Sequence, residues 1–228
     1  EPGPWRDASY RPGDNLYTNS VVAIDVDTGE LEWFFQEIPN ESWDYDTVNP
    51  RMLYDIEVDG VTRQLQGNFS RNGYYYSIDR TNGDFLYAET YTVANWTAGL
   101  DPKTGLPVEY NPNDLIQTYA PGMALIAGDP TSAQNVCPYY SAMPTFQPPT
   151  YDAGRMTAFI ATQDGCFSPF QVEPFAHESY VGKSFPDIED GNNQGPQVGA
   201  IWAVDVRTAE VVRSIRTEIP HYSGTLGT

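Results

Sequence analysis

The chain of 228 residues carries 31 acidic and 12 basic side chains, which gives a formal net charge of −19. A surface this negative repels phosphate backbones and anionic lipid headgroups, so neither nucleic acid nor a membrane surface is expected as a partner. The 19 glycines, 19 prolines and 16 tyrosines favour a β-rich fold with many turns. No apolar run approaches the ~20 residues that span a bilayer.

The first predicted elements are two strands joined by a tight turn, and this hairpin recurs along the chain. Residues 21–33 contain a strand, an Asp-x-x-Thr-Gly turn and a second strand, and similar patterns return at 75–87 and 201–212. A degenerate copy covers 151–161. Hairpins repeated at roughly 50-residue spacing indicate an all-β propeller, built from four-stranded blades. Roughly three to four blades fit this length. The alternative is a β-sandwich with similar turns.

An acidic pair follows the first hairpin, in the segment Ser42-Trp43-Asp44-Tyr45-Asp46. In an extended segment, residues i and i+2 point the same way, so Asp44 and Asp46 are predicted to aim two carboxylates at one point. Like charges held that close require a cation or a shared proton. The pair therefore indicates a hard metal ion, a catalytic base or both, with an ordinary surface loop as the alternative.

Two long stretches separate the later repeats. Residues 95–149 and 167–197 are rich in turn-forming residues and are predicted to be inter-blade loops. The whole chain, 1–228, is expected to be part of a single propeller domain that other propeller segments or a partner chain complete, because an open part-ring exposes strand edges. Cys137 and Cys166 are the two cysteines, and their number leaves open whether they pair.

The ordered motifs resemble those of a known family. Residues Ala23 to Trp33 are similar to the tryptophan-docking motif of pyrroloquinoline-quinone (PQQ) dependent alcohol dehydrogenases of the methanol and ethanol type. Further matches occur in the same order along the chain, at Pro2–Trp5, Arg11–Asn15, Trp43–Asp46, Arg71–Gly73, Asp79–Gly83, Cys137–Pro138, Cys166 and Gly199–Thr228. The resemblance implies an eight-bladed propeller, a periplasmic or secreted location, and PQQ with a metal ion on the central axis.

The resemblance also implies roles for individual side chains. Asp44 matches the catalytic base, which also approaches the metal. Asp46 matches an additional carboxylate ligand found in lanthanide-dependent members. Glu1 stands where an asparagine usually ligates the metal. Arg71 matches the basic residue that contacts the quinone carbonyl.

The remaining implied sites concern the cofactor surroundings and a disulfide. Thr145 and Phe146 align with an Asn-Trp pair near the cofactor, and Trp43 is placed near the substrate and cofactor. Cys137 and Cys166 match a disulfide pair.

The activity that the resemblance implies is oxidation of a primary alcohol to an aldehyde. The cofactors would be PQQ and a lanthanide(III) or Ca²⁺ ion, with Asp46 favouring the lanthanide. Cytochrome c is the expected electron acceptor, and a homodimer is a candidate assembly. Two alternatives are a non-catalytic extracytoplasmic propeller scaffold and a sugar-oxidising quinoprotein.

Overall fold

In a computed structural model, the protein is described over residues 7–58, 60–129, 131–139, 144–168 and 198–227. These residues form a 3₁₀ helix at Ala8–Tyr10 and ten strands. The strands are β1 Ser20–Ile24, β2 Leu31–Gln36, β3 Met52–Val58, β4 Val61–Phe69, β5 Tyr74–Asp79, β6 Phe85–Thr90, β7 Thr150–Asp152, β8 Thr157–Asp164, β9 Val198–Asp205 and β10 Val211–Thr217. Over these ranges, the structure shows no helix that could cross a membrane.

The strands assemble into one hairpin and two four-stranded antiparallel sheets. β1 pairs with β2, the middle sheet has the order β3-β4-β5-β6, and the last sheet has the order β10-β9-β8-β7. The predicted all-β, propeller-type architecture is confirmed. The blade assignment differs in one respect, since the degenerate copy at 151–161 and the copy at 201–212 lie in the same sheet. They are two halves of one blade, so the described residues hold two complete blades and one hairpin.

The β3–β4 hairpin was not predicted, although the sequence carries its signal. Met52, Tyr54 and Ile56 alternate buried with exposed neighbours, which is the period of a half-buried strand. The dipeptide Asp59-Gly60 separates the paired residues Val58 and Val61, and Asp-Gly is a strong two-residue hairpin signal.

One hydrogen bond recurs in the turns at Asp25, Asp79, Asp101 and Asp205: the backbone N–H four residues on donates to the aspartate carbonyl at 2.8 Å. In the first copy the Asp25 carboxylate accepts from the Thr28 backbone N–H at 2.7 Å, and the Gly29 N–H donates to the Asp25 carbonyl at 2.8 Å. The backbone N–H of Thr28 lowers the pKa of Asp25. A further copy lies inside the 95–149 stretch, where Asp101 accepts from the Thr104 N–H at 2.9 Å and from Gly105 at 2.8 Å.

Two of the turn glycines, Gly83 and Gly105, also lie in contact with an aromatic ring of the preceding unit. A Cβ at Gly83 would lie 2.8 Å from the Trp33 ring, and one at Gly105 would overlap the Phe85 ring. In both pairs, an aromatic ring of one unit therefore packs on the turn glycine of the next unit, a contact we call ring-on-turn docking. Gly29 has the same left-handed conformation, at φ +74°, but no atom within 4 Å of a built Cβ.

The middle sheet is buried on both faces, which creates two hydrophobic cores. On one face Tyr75 packs with Ile160 and Trp202 of the last sheet, and we call this cluster the inter-blade core. On the other face Tyr76 and its neighbours pack with residues of the first hairpin and of the 95–149 stretch. This second cluster, the aromatic core, contains Phe35, Ile38, Trp43, Tyr45, Tyr74, Tyr76, Ile78, Trp96, Tyr119, Leu125, Ala133, Val136 and Phe167.

The stretch between β6 and β7 contains only isolated bridges over its described residues, at Leu100–Pro107 and Val136–Phe167. It nevertheless supplies Trp96, Tyr119 and other side chains to the aromatic core. Of the second predicted loop, 167–197, only the first two residues lie within the described ranges, and residues 1–6, with Glu1 and Pro2–Trp5, lie outside them.

Candidate active site

The candidate site is formed where two chain segments meet beside the aromatic core. One segment follows β2 and carries Asp44 and Asp46; we call residues 43–47 the aspartate loop. The other is the tight connection from β4 to β5, which carries Arg71. The Arg71 backbone N–H donates to Thr47 Oγ1 at 3.0 Å, so the two segments are hydrogen-bonded to each other next to the charged side chains.

The guanidinium of Arg71 joins both carboxylates. One Nη contacts Asp46 Oδ1 in a very short ion pair and also donates to the Asp46 carbonyl at 3.0 Å, while the other Nη lies 3.6 Å from Asp44 Oδ2. The side chains of Arg71, Asp44 and Asp46 are 5%, 13% and 20% exposed. Both carboxylates therefore contact one guanidinium, whose positive charge offsets their like charges.

The backbone that achieves this convergence is not the extended segment that was predicted. Asp44 has φ +69°, in the left-handed region that non-glycine residues rarely adopt, and no strand covers residues 37–51. A left-handed residue with a non-glycine side chain persists only where the surroundings fix it. Its occurrence at the predicted catalytic position agrees with a loop shaped for function.

The aromatic neighbours of the two aspartates fix this loop. Trp43 Nε1 donates to the Met123 carbonyl at 2.6 Å, and the Tyr45 hydroxyl donates to the Pro138 carbonyl at 2.6 Å. Burial raises the pKa of Tyr45 well above its usual value, so its hydroxyl stays a donor. Both rings lie in the aromatic core, whereas the two carboxylates contact Arg71.

The assignment of Trp43 to the cofactor surroundings needs correction. Its side chain is 1% exposed and packs 5.6 Å from the Trp96 ring and 5.8 Å from the Tyr119 ring, measured between centroids. A ring enclosed on all sides has no surface left for a quinone or a substrate. Trp43 therefore acts as the anchor that holds Asp44 in place.

Thr145 lies beside the aspartate loop, whereas Phe146 points to solvent. The Val48 backbone N–H donates to the Thr145 carbonyl at 3.2 Å, which places this segment next to the site. Gln147 Oε1 accepts from the Thr145 N–H at 2.8 Å and orders the turn. The Phe146 side chain is 63% exposed, so its ring is accessible at this edge of the site.

The predicted disulfide is present. Cys137 and Cys166 are bonded, with their Cα atoms 4.2 Å apart, and no free cysteine occurs. The bond joins the end of the 95–149 stretch to the residues after β8. Because the Pro138 carbonyl accepts from Tyr45, the same anchor also supports the aspartate loop.

Two buried glutamates near the site escaped the sequence analysis. Glu41 is fully buried and accepts from the Trp43 backbone N–H at 2.6 Å, beneath the aspartate loop. Glu37 is 3% exposed and accepts from Asn68 Nδ2 at 2.8 Å and from Ser70 Oγ at 2.5 Å, with Arg51 Nη2 at 3.7 Å. Burial raises the pKa of Glu37, and the Arg51 charge opposes that rise. In a sequence with 31 acidic residues, nothing distinguishes these two glutamates from solvent-exposed acids.

The donor chemistry of the site fits a hard cation in part. Asp44 and Asp46 offer carboxylate oxygens, the ligands that Ca²⁺ and comparable hard ions prefer. The described ranges contain no group of three or more acidic, histidine or cysteine side chains able to hold a metal ion. The two aspartates would therefore supply part of a coordination shell. Glu1, the third predicted ligand, lies outside the described residues.

Comparisons with known proteins agree with the predicted fold. Residues 7–95 match the family model described as the β-propeller domain of PQQ-dependent glucose, ethanol and alcohol dehydrogenases. The whole chain is 34% identical to a putative dehydrogenase, XoxF, of Paracoccus denitrificans, and it covers 37% of that protein. It is also 42% identical to a 1-butanol dehydrogenase (cytochrome c) of Thauera butanivorans, over 47% of this chain and 16% of that one.

A solved structure shows the same architecture. The chain superimposes on a europium-containing methanol dehydrogenase with a TM-score of 0.80 and 25% identity, covering 98% of this chain and 37% of that one. The chain thus spans little more than a third of the length of these two full-coverage matches. Over its whole length the chain is similar to a part of these dehydrogenases, and its fold matches a part of their PQQ-type β-propeller.

Proposed function

We propose that the protein containing these residues oxidises a primary alcohol to an aldehyde, with PQQ and a bound metal ion at the Asp44–Arg71–Asp46 cluster. The observation that carries the proposal is the convergence of both carboxylates on one guanidinium in a largely buried loop. The named activities of the relatives, a 1-butanol dehydrogenase and a methanol dehydrogenase, support an alcohol as substrate class.

Each residue of the cluster has a separate task in this proposal. Asp44 accepts the hydroxyl proton of the alcohol at a carboxylate oxygen, and its loop geometry fixes where that oxygen points. Arg71 donates hydrogen bonds toward a quinone oxygen and stabilises negative charge there. PQQ, when bound, supplies the hydride acceptor that no amino-acid side chain provides.

The metal ion is proposed to be a lanthanide. Asp46 supports this choice, because a second carboxylate within reach of the Asp44 site matches the higher charge of a trivalent ion better than that of Ca²⁺. A bound cation would supply Lewis-acid polarisation. Asp46 would then exchange part of its contact with Arg71 for contact with the metal.

We further propose a periplasmic or secreted location and a cytochrome c electron acceptor. The Cys137–Cys166 disulfide supports an oxidising compartment, since such bonds are rare in the cytosol. The printed name of the Thauera butanivorans relative supports the acceptor. A non-catalytic scaffold is disfavoured, because such a protein has no need to hold two carboxylates against a buried arginine.

The test is to purify the full-length protein after growth with calcium and a lanthanide both supplied. Bound quinone is measured by its absorbance and the metal by elemental mass spectrometry. We expect about one quinone and one lanthanide per chain, both reduced in Asp46→Ala. The exposed Asp55→Ala is the matched control and should leave both unchanged. Protein that holds no quinone would overturn the alcohol dehydrogenase proposal, and calcium alone would overturn the role of Asp46.

A further inference from the structure

A continuous hydrogen-bonded path joins a buried carboxylate to the backbone of Arg71. Ser70 Oγ lies 2.5 Å from Glu37 Oε2, Thr47 Oγ1 lies 3.1 Å from Ser70 Oγ, and the Arg71 backbone N lies 3.0 Å from Thr47 Oγ1. Glu37 and Ser70 are buried. Glu37, Ser70 and Thr47 lie outside the Asp44–Arg71–Asp46 cluster, and the proposed chemistry leaves the path unexplained.

The direction of this path follows from which atoms carry protons. An ionised carboxylate only accepts, so the single Ser70 hydroxyl proton is directed to Glu37. Ser70 Oγ is then an acceptor toward Thr47, and it also accepts from the Asn72 N–H at 3.3 Å. The Thr47 hydroxyl proton therefore points to Ser70, which leaves a Thr47 lone pair for the Arg71 N–H. Every donor in the path points toward Glu37.

Burial raises the pKa of Glu37, and its polar neighbours oppose that rise because they stabilise the ionised, acceptor-only form. Two hydrogen bonds, from Asn68 and Ser70, and the Arg51 guanidinium at 3.7 Å converge on the carboxylate. Hydrogen bonds aligned head to tail in a low-dielectric interior strengthen one another. If Glu37 carries no charge, the Thr47 hydroxyl can donate to the Tyr45 carbonyl instead, which lies 3.5 Å away. The hydrogen bonds between Glu37 and Arg71 then no longer all point toward Glu37.

We infer that Glu37 is a positioning residue for the active site, which fixes Arg71 against the aspartate loop through Ser70 and Thr47. Its functional consequence rests on the proposed function, in which Arg71 must meet a quinone oxygen. Glu37 touches neither carboxylate of the cluster and takes no part in proton transfer. Its contribution is to hold the short connection after β4 at a set distance from the residues that follow Asp46.

The first measurement is hydrogen exchange at the Arg71 amide in the full-length protein without added quinone. In Glu37→Gln and in Thr47→Val, exchange should accelerate by about tenfold, because the amide loses its oriented acceptor. Thr47→Ser keeps the hydroxyl and should exchange as the wild type does. Asp55→Asn makes the same acid-to-amide change at an exposed position and is the matched control. Wild-type exchange in either Glu37→Gln or Thr47→Val would overturn the inference.

The second measurement separates positioning from mere stability. In protein loaded with quinone and metal, Glu37→Gln and Thr47→Val should lower kcat on the order of tenfold with the alcohol KM unchanged, and Thr47→Ser should restore kcat. Accelerated exchange with an unchanged kcat would overturn the positioning role. If the wild-type protein holds no quinone, the proposed function fails. The exchange measurement still tests whether Glu37 positions Arg71, because it needs no quinone. If Glu37→Gln fails to fold, the comparison of Thr47→Val with Thr47→Ser in both measurements tests the path to Arg71.

Discussion

The repeat turns and the aspartate loop both reverse the chain, but they are stabilised in different ways. In the turn at Asp79, the acceptors and donors lie within five residues, with Gly83 N–H to Asp79 carbonyl at 2.8 Å. In the aspartate loop, Trp43 reaches Met123 and Tyr45 reaches Pro138, partners 80 and 93 residues away in the chain. Local hydrogen bonds give a turn that can recur along the chain, whereas the left-handed Asp44 lies in a loop that is held by distant partners.

The comparison predicts that changes in the two regions affect different measurements. Substitutions at the charged side of the aspartate loop should lower activity with little loss of stability. Substitutions in the turns and anchors should lower stability first.

The largest expected effect is on catalysis, from Asp44→Asn. The amide keeps the shape of the side chain but cannot accept the alcohol proton, so kcat should fall by about 10³-fold, within the range for loss of a general base. The melting temperature should stay within a few degrees of the wild type. Quinone content is measured in parallel, so that loss of cofactor is recognised. A variant with full quinone and more than a tenth of wild-type kcat would contradict the role of Asp44.

The next effect is on stability, from removing the disulfide with Cys137→Ala and Cys166→Ala together. The bond closes a loop of sequence separation 29, and its loss should cost about 3–4 kcal/mol by loop-closure entropy. Because Tyr45 donates to Pro138 next to this bond, activity should fall as well. Thermal unfolding and turnover are both measured, and an unchanged melting temperature would show that the anchor is dispensable.

A matched pair of turn glycines gives the third effect. Gly83→Ala adds a Cβ 2.8 Å from the Trp33 ring at φ +81° and should destabilise by about 2–4 kcal/mol, from left-handed strain plus overpacking. Gly29→Ala has the strain without the contact and should cost about 1–2 kcal/mol. Ala209 already occupies this position in the last repeat, at φ +64°. Equal losses in urea unfolding would argue against ring-on-turn docking.

The smallest effect concerns the pH dependence of stability and Asp164. Burial raises the pKa of this carboxyl, while Thr162 and Arg216 partly oppose the rise. A raised folded-state pKa means that the folded protein binds the proton more tightly than the unfolded chain does. The more tightly bound proton on Asp164 stabilises the folded protein below the pKa of the unfolded chain. This stabilisation is lost as the pH rises through the pKa of the folded protein. Asp164→Asn should flatten the stability profile above about pH 4. A slope equal to that of the wild type would contradict this assignment.

The fold was largely predictable because its signals are local. The Asp25 and Asp79 turns and their flanking strands follow from short motifs, and the copy at Asp101 carries the same motif although it went unrecognised. The β3–β4 hairpin likewise has alternating residues and an Asp-Gly turn. The turn at Asp101 and the β3–β4 hairpin therefore both carry local sequence signals.

The site was predictable only as far as a family motif carried it. Asp44, Asp46 and Arg71 were identified together, and the structure joins them. The burial of Trp43 could not be foreseen, because an aromatic ring beside an acidic pair suits a pocket wall and a core equally well. Glu37 and Glu41 depend on contacts with distant segments, and nothing in their local sequence separates a buried acid from a solvated one.

The central claim is that Asp44 and Asp46 both contribute a carboxylate oxygen to the metal ion while Arg71 stays beside Asp44. It is tested most directly by a crystal structure of the full-length protein with PQQ and the metal bound. We predict a carboxylate oxygen of each aspartate at about 2.3–2.6 Å from the ion, with Arg71 retained beside Asp44 and within hydrogen-bonding distance of the quinone. An ion without Asp46 in its coordination shell, or an Arg71 turned away from the quinone, would contradict the account.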